Sequence, residues 1–260
     1  MASRGKPPPE SGEKAMMQGF RAAVQFITML PAGRTAVYQP REMIAWFPVV
    51  GLLLGSLLAV FDAAACRLFA GSAPAAALDI VLLIILTGAF HLDGLADSAD
   101  GLFGHRDRET VLAIMKDSRI GVMGLAAVLC GLGVKFAGIA AMPWPGSLQR
   151  FLVFLLVPGL ARSSMIFAIR ALPYGRPDGG TGRDLFGRAV GASDFRLMAL
   201  CLVPALFLGW RGLWIVAAFF VLVYAQIAYY RRRIGCITGD MLGAMTEVTE
   251  ALLFLAAALP

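Results

Sequence analysis

The chain has 260 residues, 58% of them hydrophobic and 15% charged, with 23 Lys and Arg against 17 Asp and Glu. A mean hydropathy of +0.74 excludes a soluble domain, which could not keep so much apolar surface out of water. The net charge of +6 does not point to nucleic acid either, because a basic excess in so apolar a chain marks the cytoplasmic loops of a membrane protein.

The expected class is all-α, a polytopic membrane bundle in a lipid bilayer. Residues 1–14 are polar and proline-rich, with no apolar core or cleavage-like site, and read as a disordered tail. Residues 15–260 are expected to form a single membrane-embedded domain. Within it, residues 15–30 place Met16, Met17, Phe20, Val24, Ile27 and Leu30 on one helical face. That spacing suits an interfacial amphipathic helix or a packing helix of the bundle.

About seven spans follow, at 44–69, 75–90, 121–142, 148–169, 197–208, 213–230 and 241–259. The sixth and seventh flank a basic segment, Arg231, Arg232 and Arg233. With this topology one side collects the bases of the tail, Arg106, Arg108, Lys116, Arg119, Arg176, Arg183, Arg188, Arg196 and Arg231–Arg233. The other keeps Arg67, Arg150 and Arg211. The loaded side, with the N-terminus, is expected to be cytoplasmic. Most acidic residues share that side, which a charge-bias rule does not require, so the mixed charge there reads as a site.

The strongest local signal is HLDGLADSADG at 91–101. On a continuing helix Asp93, Asp97 and Asp100 stand at i, i+4 and i+7, on one face. Stacked carboxylates repel, and Mg²⁺ offsets that cost when phosphates complete its shell. His91 is expected to be a hydrogen-bonded helix-end residue and His105 a solvated one.

Next comes IMKDSRIGVMG at 114–124, preceded by a short helix that Asp107 can cap. Lys116 and Arg119 emerge there beside glycines, where cations and free backbone N–H groups suit a phosphate. The loop RALPYGRPDGG at 170–180 offers Arg176 as a phosphate clamp. In GCITGDMLGAMTE at 235–247, Asp240 and Glu247 share a helical face, with Glu250 beyond. Lys135 and Arg162, both inside spans, are either substrate contacts or structural ion-pair partners for these carboxylates.

Taken together these four blocks, with FITMLPAGR at 26–34 and FPVVGLLLG at 47–55, resemble cobalamin synthase, the adenosylcobinamide-GDP ribazoletransferase family. The resemblance runs from about Phe26 to the C-terminus. It implies a multi-pass enzyme of the bacterial inner membrane with a cytoplasmic site, using Mg²⁺ as cofactor. Its substrates would be adenosylcobinamide-GDP and α-ribazole or its 5′-phosphate, and its products adenosylcobalamin or its phosphate, and GMP. Asp93, Asp97 and Asp100 would hold the metal, Asp240 or Glu247 would act beside them, and Lys116, Arg119, Lys135, Arg162 and Arg176 would bind phosphate or substrate. Assembly into a homo-oligomer stays open. The alternatives are an intramembrane prenyltransferase, for which Asp93 and Asp97 form a DxxxD pair, and a cation-coupled transporter, against which the absence of an internal repeat argues.

Overall fold

A computed structural model describes residues 12–33, 40–69, 71–142, 145–176, 179–180 and 182–259. The tail expected to be disordered lies outside them up to position 11, as do Arg34 and, in the 170–180 loop, Pro177 and Asp178. Among the described residues every regular element is helical, with one isolated bridge between Tyr174 and Ile237.

Helix α1 (Gly12–Ile27) buries Ala22, Ala23, Val24 and Ile27 while Met16 and Met17 stay more than half exposed. Its second half is therefore a packing helix. It rests on α2 (Pro40–Met43), the 3-10 turn Ile44–Trp46 and α3 (Phe47–Leu68), with the Phe20 ring edge-on to Trp46 at 5.3 Å. Helix α4 (Ser72–Thr87) ends at Gly88 and Ala89, both left-handed, and the chain turns by 92° into α5 (Phe90–Leu102).

Asp107 caps α6 (Arg108–Ile114) as expected, accepting from the Thr110 N–H at 2.8 Å. That bond holds the Asp107 carboxyl below the usual carboxylate range. Then come α7 (Val122–Ala141), α8 (Leu148–Ala171), two 3-10 turns (Arg183–Phe186 and Ala192–Met198), α9 (Ala199–Phe207), α10 (Trp210–Arg233) and α11 (Gly239–Ala257).

The core is built on close backbone approach. Without a strong hydrophobic drive between helices in lipid, small residues let van der Waals packing hold them. A Cβ at Gly51 or Gly55 of α3 would overlap the carbonyls of Pro158 and Phe154 in α8, and one at Gly138 of α7 would lie 2.5 Å from the Leu255 nitrogen of α11. Helix α8 is almost wholly enclosed, whereas α7 and α10 turn Leu125, Leu129, Leu213, Phe220 and Val221 outward. Helix α11 packs on α5, α7, α8 and α10, so it is the axis of the bundle.

Against the seven expected spans, four helices among the described residues are long and apolar enough to cross a membrane, Ile44–Leu68, Val122–Ala141, Leu148–Ala171 and Trp210–Arg233, or five with the bent α4–α5 pair as one. Helix α9, with 9 residues, reaches only about 14 Å of a roughly 30 Å hydrocarbon core. Helix α11 has 19 residues, but Asp240, Glu247 and Glu250 lower its apolar character.

Candidate active site

Four segments meet at one end of the bundle: α5, the start of α7, the 172–182 loop and the start of α11. Helix α5 carries the aspartates on one face as the spacing predicted, with Asp93 exposed and Asp97 and Asp100 partly buried. Its opposite side buries Leu92, Leu95 and Ala96. At Gly94 it presses on the first turn of α11, where a Cβ would sit 2.5 Å from the Asp240 carbonyl oxygen. That contact brings Asp240 into the electrostatic neighbourhood of Asp93 and Asp97.

The three aspartates of α5 are not equivalent. Asp100 accepts from the backbone N–H groups of Gly121 at 2.7 Å and Gly124 at 2.8 Å. It therefore closes the first turn of α7, whose N–H groups would otherwise lack partners. Those are the donors that the sequence suggested for a phosphate, and here they are bonded to Asp100. Asp93 and Asp97, by contrast, accept no hydrogen bond from any described residue.

Arg176 arrives from the 172–182 loop, with its guanidinium 2.7 Å from Asp240. Backbone pairing holds this loop in place: Gly175 N–H donates to Ile237 at 2.8 Å, and Ile237 N–H donates to Pro173 at 3.0 Å. Gly182 lies over Gly239, where a Cβ would come within 3.0 Å. The Arg176 Nε is buried and has no hydrogen-bond partner among the described residues.

Arg233, which sequence reasoning left inside a basic run, ties the end of α10 to the loop after α5. It donates to the carbonyls of Leu102, Gly104 and Arg106 at 3.2, 2.7 and 3.0 Å. Arg106 in turn donates to the Asp100 carbonyl at 3.0 Å. No local pattern marks such a role, because its acceptors are backbone oxygens more than a hundred residues away.

Lys116 and Arg119 stand on the exposed connection before α7. Arg119 folds back on Asp117 at 2.6 Å, and this hydrogen-bonded guanidinium holds the Asp117 carboxyl down at about 2.

Glu247, Lys135 and Arg162 lie deeper, in a closed ion cluster. The Lys135 ammonium donates to Glu247 and Glu250 at 2.7 Å each, and Arg162 pairs with the other Glu250 oxygen. None of the four is more than 5% exposed. Of the two readings open in the sequence, this geometry is that of ion pairs joining α7, α8 and α11. His91 differs from expectation too. It is buried beside this cluster, and neither ring nitrogen has a hydrogen-bond partner among the described residues.

Among the described residues no three His, Cys, Asp or Glu side chains converge closely enough to hold a metal ion by themselves. Mg²⁺ does not require that. It binds through one or two carboxylates together with substrate phosphates, and the hydrogen-bond-free carboxylates of Asp93 and Asp97, faced by Asp240, are donors of that kind.

Known proteins resemble this chain over nearly its full length. The family model for cobalamin-5-phosphate synthase matches residues 19–258. Among curated relatives, the adenosylcobinamide-GDP ribazoletransferase of Syntrophobacter fumaroxidans is 36% identical, covering 94% of this chain and 99% of its own. The enzyme of that name from Desulforamulus reducens is 33% identical over 90% of this chain and 94% of its own. The one from Pseudomonas aeruginosa is 35% identical, over 94% and 98%. No solved structure matches. The chain is thus a membrane-embedded enzyme that belongs to the cobalamin-5-phosphate synthase family.

Proposed function

We propose that this enzyme joins adenosylcobinamide-GDP to α-ribazole or its 5′-phosphate, giving adenosylcobalamin or its phosphate, and GMP. The observation that carries the reading is the pair of carboxylates on α5, Asp93 and Asp97, held against Asp240 with no hydrogen bond of their own. Such a cluster suits a cation-bound diphosphate. The names of the relatives supply the substrates.

In this reaction a ribose hydroxyl of the acceptor attacks the cobinamide-linked phosphorus. The bond from that phosphorus to the bridging oxygen breaks, and GMP departs with the oxygen and its charge. Asp93 and Asp97 would hold Mg²⁺, which would supply charge neutralisation at the diphosphate. Arg176, beside Asp240, contributes its positive charge to the diphosphate, and Lys116 and Arg119 reach in from the surface. Asp240 takes the proton of the attacking hydroxyl. Glu247 is committed to Lys135 two helical turns deeper, and it supports the site from behind. Asp100 positions α7 against α5. The enzyme sits in the bacterial inner membrane with this end cytoplasmic, in keeping with the arginines gathered there.

Purified protein with Mg²⁺, adenosylcobinamide-GDP and α-ribazole should release GMP, and a chelator should stop the reaction until Mg²⁺ is returned. Asp97→Asn should lose at least about a thousandfold in turnover while eluting like the wild type in detergent. Wild-type turnover in that variant would sink the metal assignment. A wild-type protein that releases no GMP would sink the reaction itself.

A further inference from the structure

Helices α7 and α10 both pack on α11 yet scarcely touch each other. Between them lies a groove of about 550 Å³, walled by α5, α7, α10 and α11. Small side chains open it: Ala99 on α5, Gly131 on α7, Ala225 on α10 and Ala244 on α11. Asp93, Asp97 and Asp100 occupy one face of α5, whereas Leu95, Ala99 and Leu102 turn the opposite face to the groove. The groove therefore stands behind the catalytic helix, apart from the carboxylates.

No Asp, Glu, Lys, Arg or His lines this space. Its lips continue into the outer surfaces of two membrane-crossing helices, where Met123 and Cys130 of α7 and Val221 and Ala225 of α10 are exposed. An apolar space open to hydrocarbon fills with hydrocarbon, since a void forfeits dispersion contacts and water finds few polar partners there. Along α11 the groove runs from Ala244 to Leu252, about 12 Å by the helical rise, against about 15 Å for half the hydrocarbon core. That length matches one chain of a lipid from a single leaflet.

Two groups define where such a chain ends. Ser98 lines the groove and is 3% exposed, and its hydroxyl has no hydrogen-bond partner among the described residues. A buried hydroxyl left alone is costly, and the carbonyl of a fatty ester accepts from it. The Gln226 side-chain nitrogen, also at the groove, already donates to Leu222 and Thr249. Leu95 lies against Gly131 and Asp100 against Gly121, so Ser98 sits between them, toward the start of α7. At that same end α10 finishes in Arg231, Arg232 and Arg233. Arg231 and Arg233 donate to backbone carbonyls. Arg232 is exposed and follows Val221 and Ala225 at i+11 and i+7, on the stripe that forms the lip. Its stem can lie along the lip while the guanidinium reaches a headgroup phosphate.

We propose that this groove holds one acyl chain of an anionic phospholipid from the leaflet on the active-site side, with an ester carbonyl on Ser98 and the headgroup on Arg232. The native Cys130 thiol reports on it, because it lines the groove and is exposed, whereas Cys201 and Cys236 are buried. Full-length protein is stripped of lipid in detergent, and maleimide labelling of Cys130 is followed by peptide mass spectrometry. Phosphatidylglycerol should slow the labelling about fivefold more than phosphatidylcholine with the same chains, the worth of one arginine at an anionic surface. Arg232→Gln should erase that difference, and Ser98→Ala should weaken protection by both lipids. Equal protection of the wild type by the two lipids, or none by either, overturns the assignment. So does protection by α-ribazole or adenosylcobinamide-GDP in place of lipid, which would make the groove a substrate site. A second measurement needs no labelling. Ala225→Trp, which fills the groove, should lose the phosphatidylglycerol that the wild type carries through purification from a bacterial host, read by lipid extraction and mass spectrometry. A wild type that carries none, or a variant that retains it unchanged, overturns the assignment as well.

Discussion

Replacing Lys135 by Met removes the ammonium that bridges Glu247 and Glu250 at 2.7 Å from each. All three groups are buried, so water cannot take its place. Glu250 keeps Arg162 as a partner, and the penalty falls on Glu247, left with an uncompensated charge. Breaking a buried pair in this way costs about 3–5 kcal/mol. The double change Lys135→Met/Glu247→Gln removes both charges at once and should recover most of that loss.

The test is thermal unfolding of purified protein in detergent, followed by loss of the monodisperse species. A domain of this size shifts by about 2–4 °C per kcal/mol, so Lys135→Met should melt roughly 6–20 °C below the wild type. The double variant should return to within a few degrees of it. A single variant that melts with the wild type, or a double variant no better than the single, would refute the argument that these ions hold the bundle together.

Two further substitutions probe how the site is held. Asp100→Ala strips two hydrogen bonds from the first turn of α7, a loss of about 1–3 kcal/mol by the same melting assay; Asp100→Asn, which keeps an acceptor oxygen, should recover part of it. Unchanged melting together with a changed Mg²⁺ requirement would show Asp100 to be a ligand rather than a cap. Gly94→Ala places a Cβ 2.5 Å from the Asp240 carbonyl, forcing α5 and α11 apart, and should cut GMP release about tenfold or more. Gly133→Ala, whose Cβ meets open space, serves as the control and should leave the rate unchanged.

The carboxylates were legible in the sequence because their i, i+4, i+7 spacing is a property of one helix, and the Asp107 cap because its partner is three residues away. What the sequence could not show was partnership across helices. Nothing local distinguishes Asp100 from Asp97, yet one reaches the start of α7 and the other does not. His91 does sit at a helix end, the start of α5, but its burial was hidden because the 92° turn at Gly88 and Ala89 depends on two left-handed residues, one of them an alanine. Fewer helices than the expected seven pass as spans by length and composition among the described residues, for a related reason. Hydropathy marks apolar runs, whereas α9 stops after 9 residues where Gly209 starts a tight hairpin, and a Cβ at Gly212 would overlap Ala205.

The two charged clusters are coupled through the rotation of α11. Asp240, Glu247 and Glu250 lie at i, i+7 and i+10, which places them on one side of the helix. Glu247 and Glu250 are fixed from α7 and α8 by Lys135 and Arg162, so the helix cannot turn about its axis without breaking buried ion pairs. Asp240 is thereby aimed at α5, where Gly94 allows the contact and Asp93 and Asp97 wait on the facing side. A cluster of like charges needs such external restraint, since repulsion would otherwise rotate one helix away from the other. The costly ions inside the bundle and the hydrogen-bond-free carboxylates of Asp93 and Asp97 at its end thus form one device: the first holds the second together.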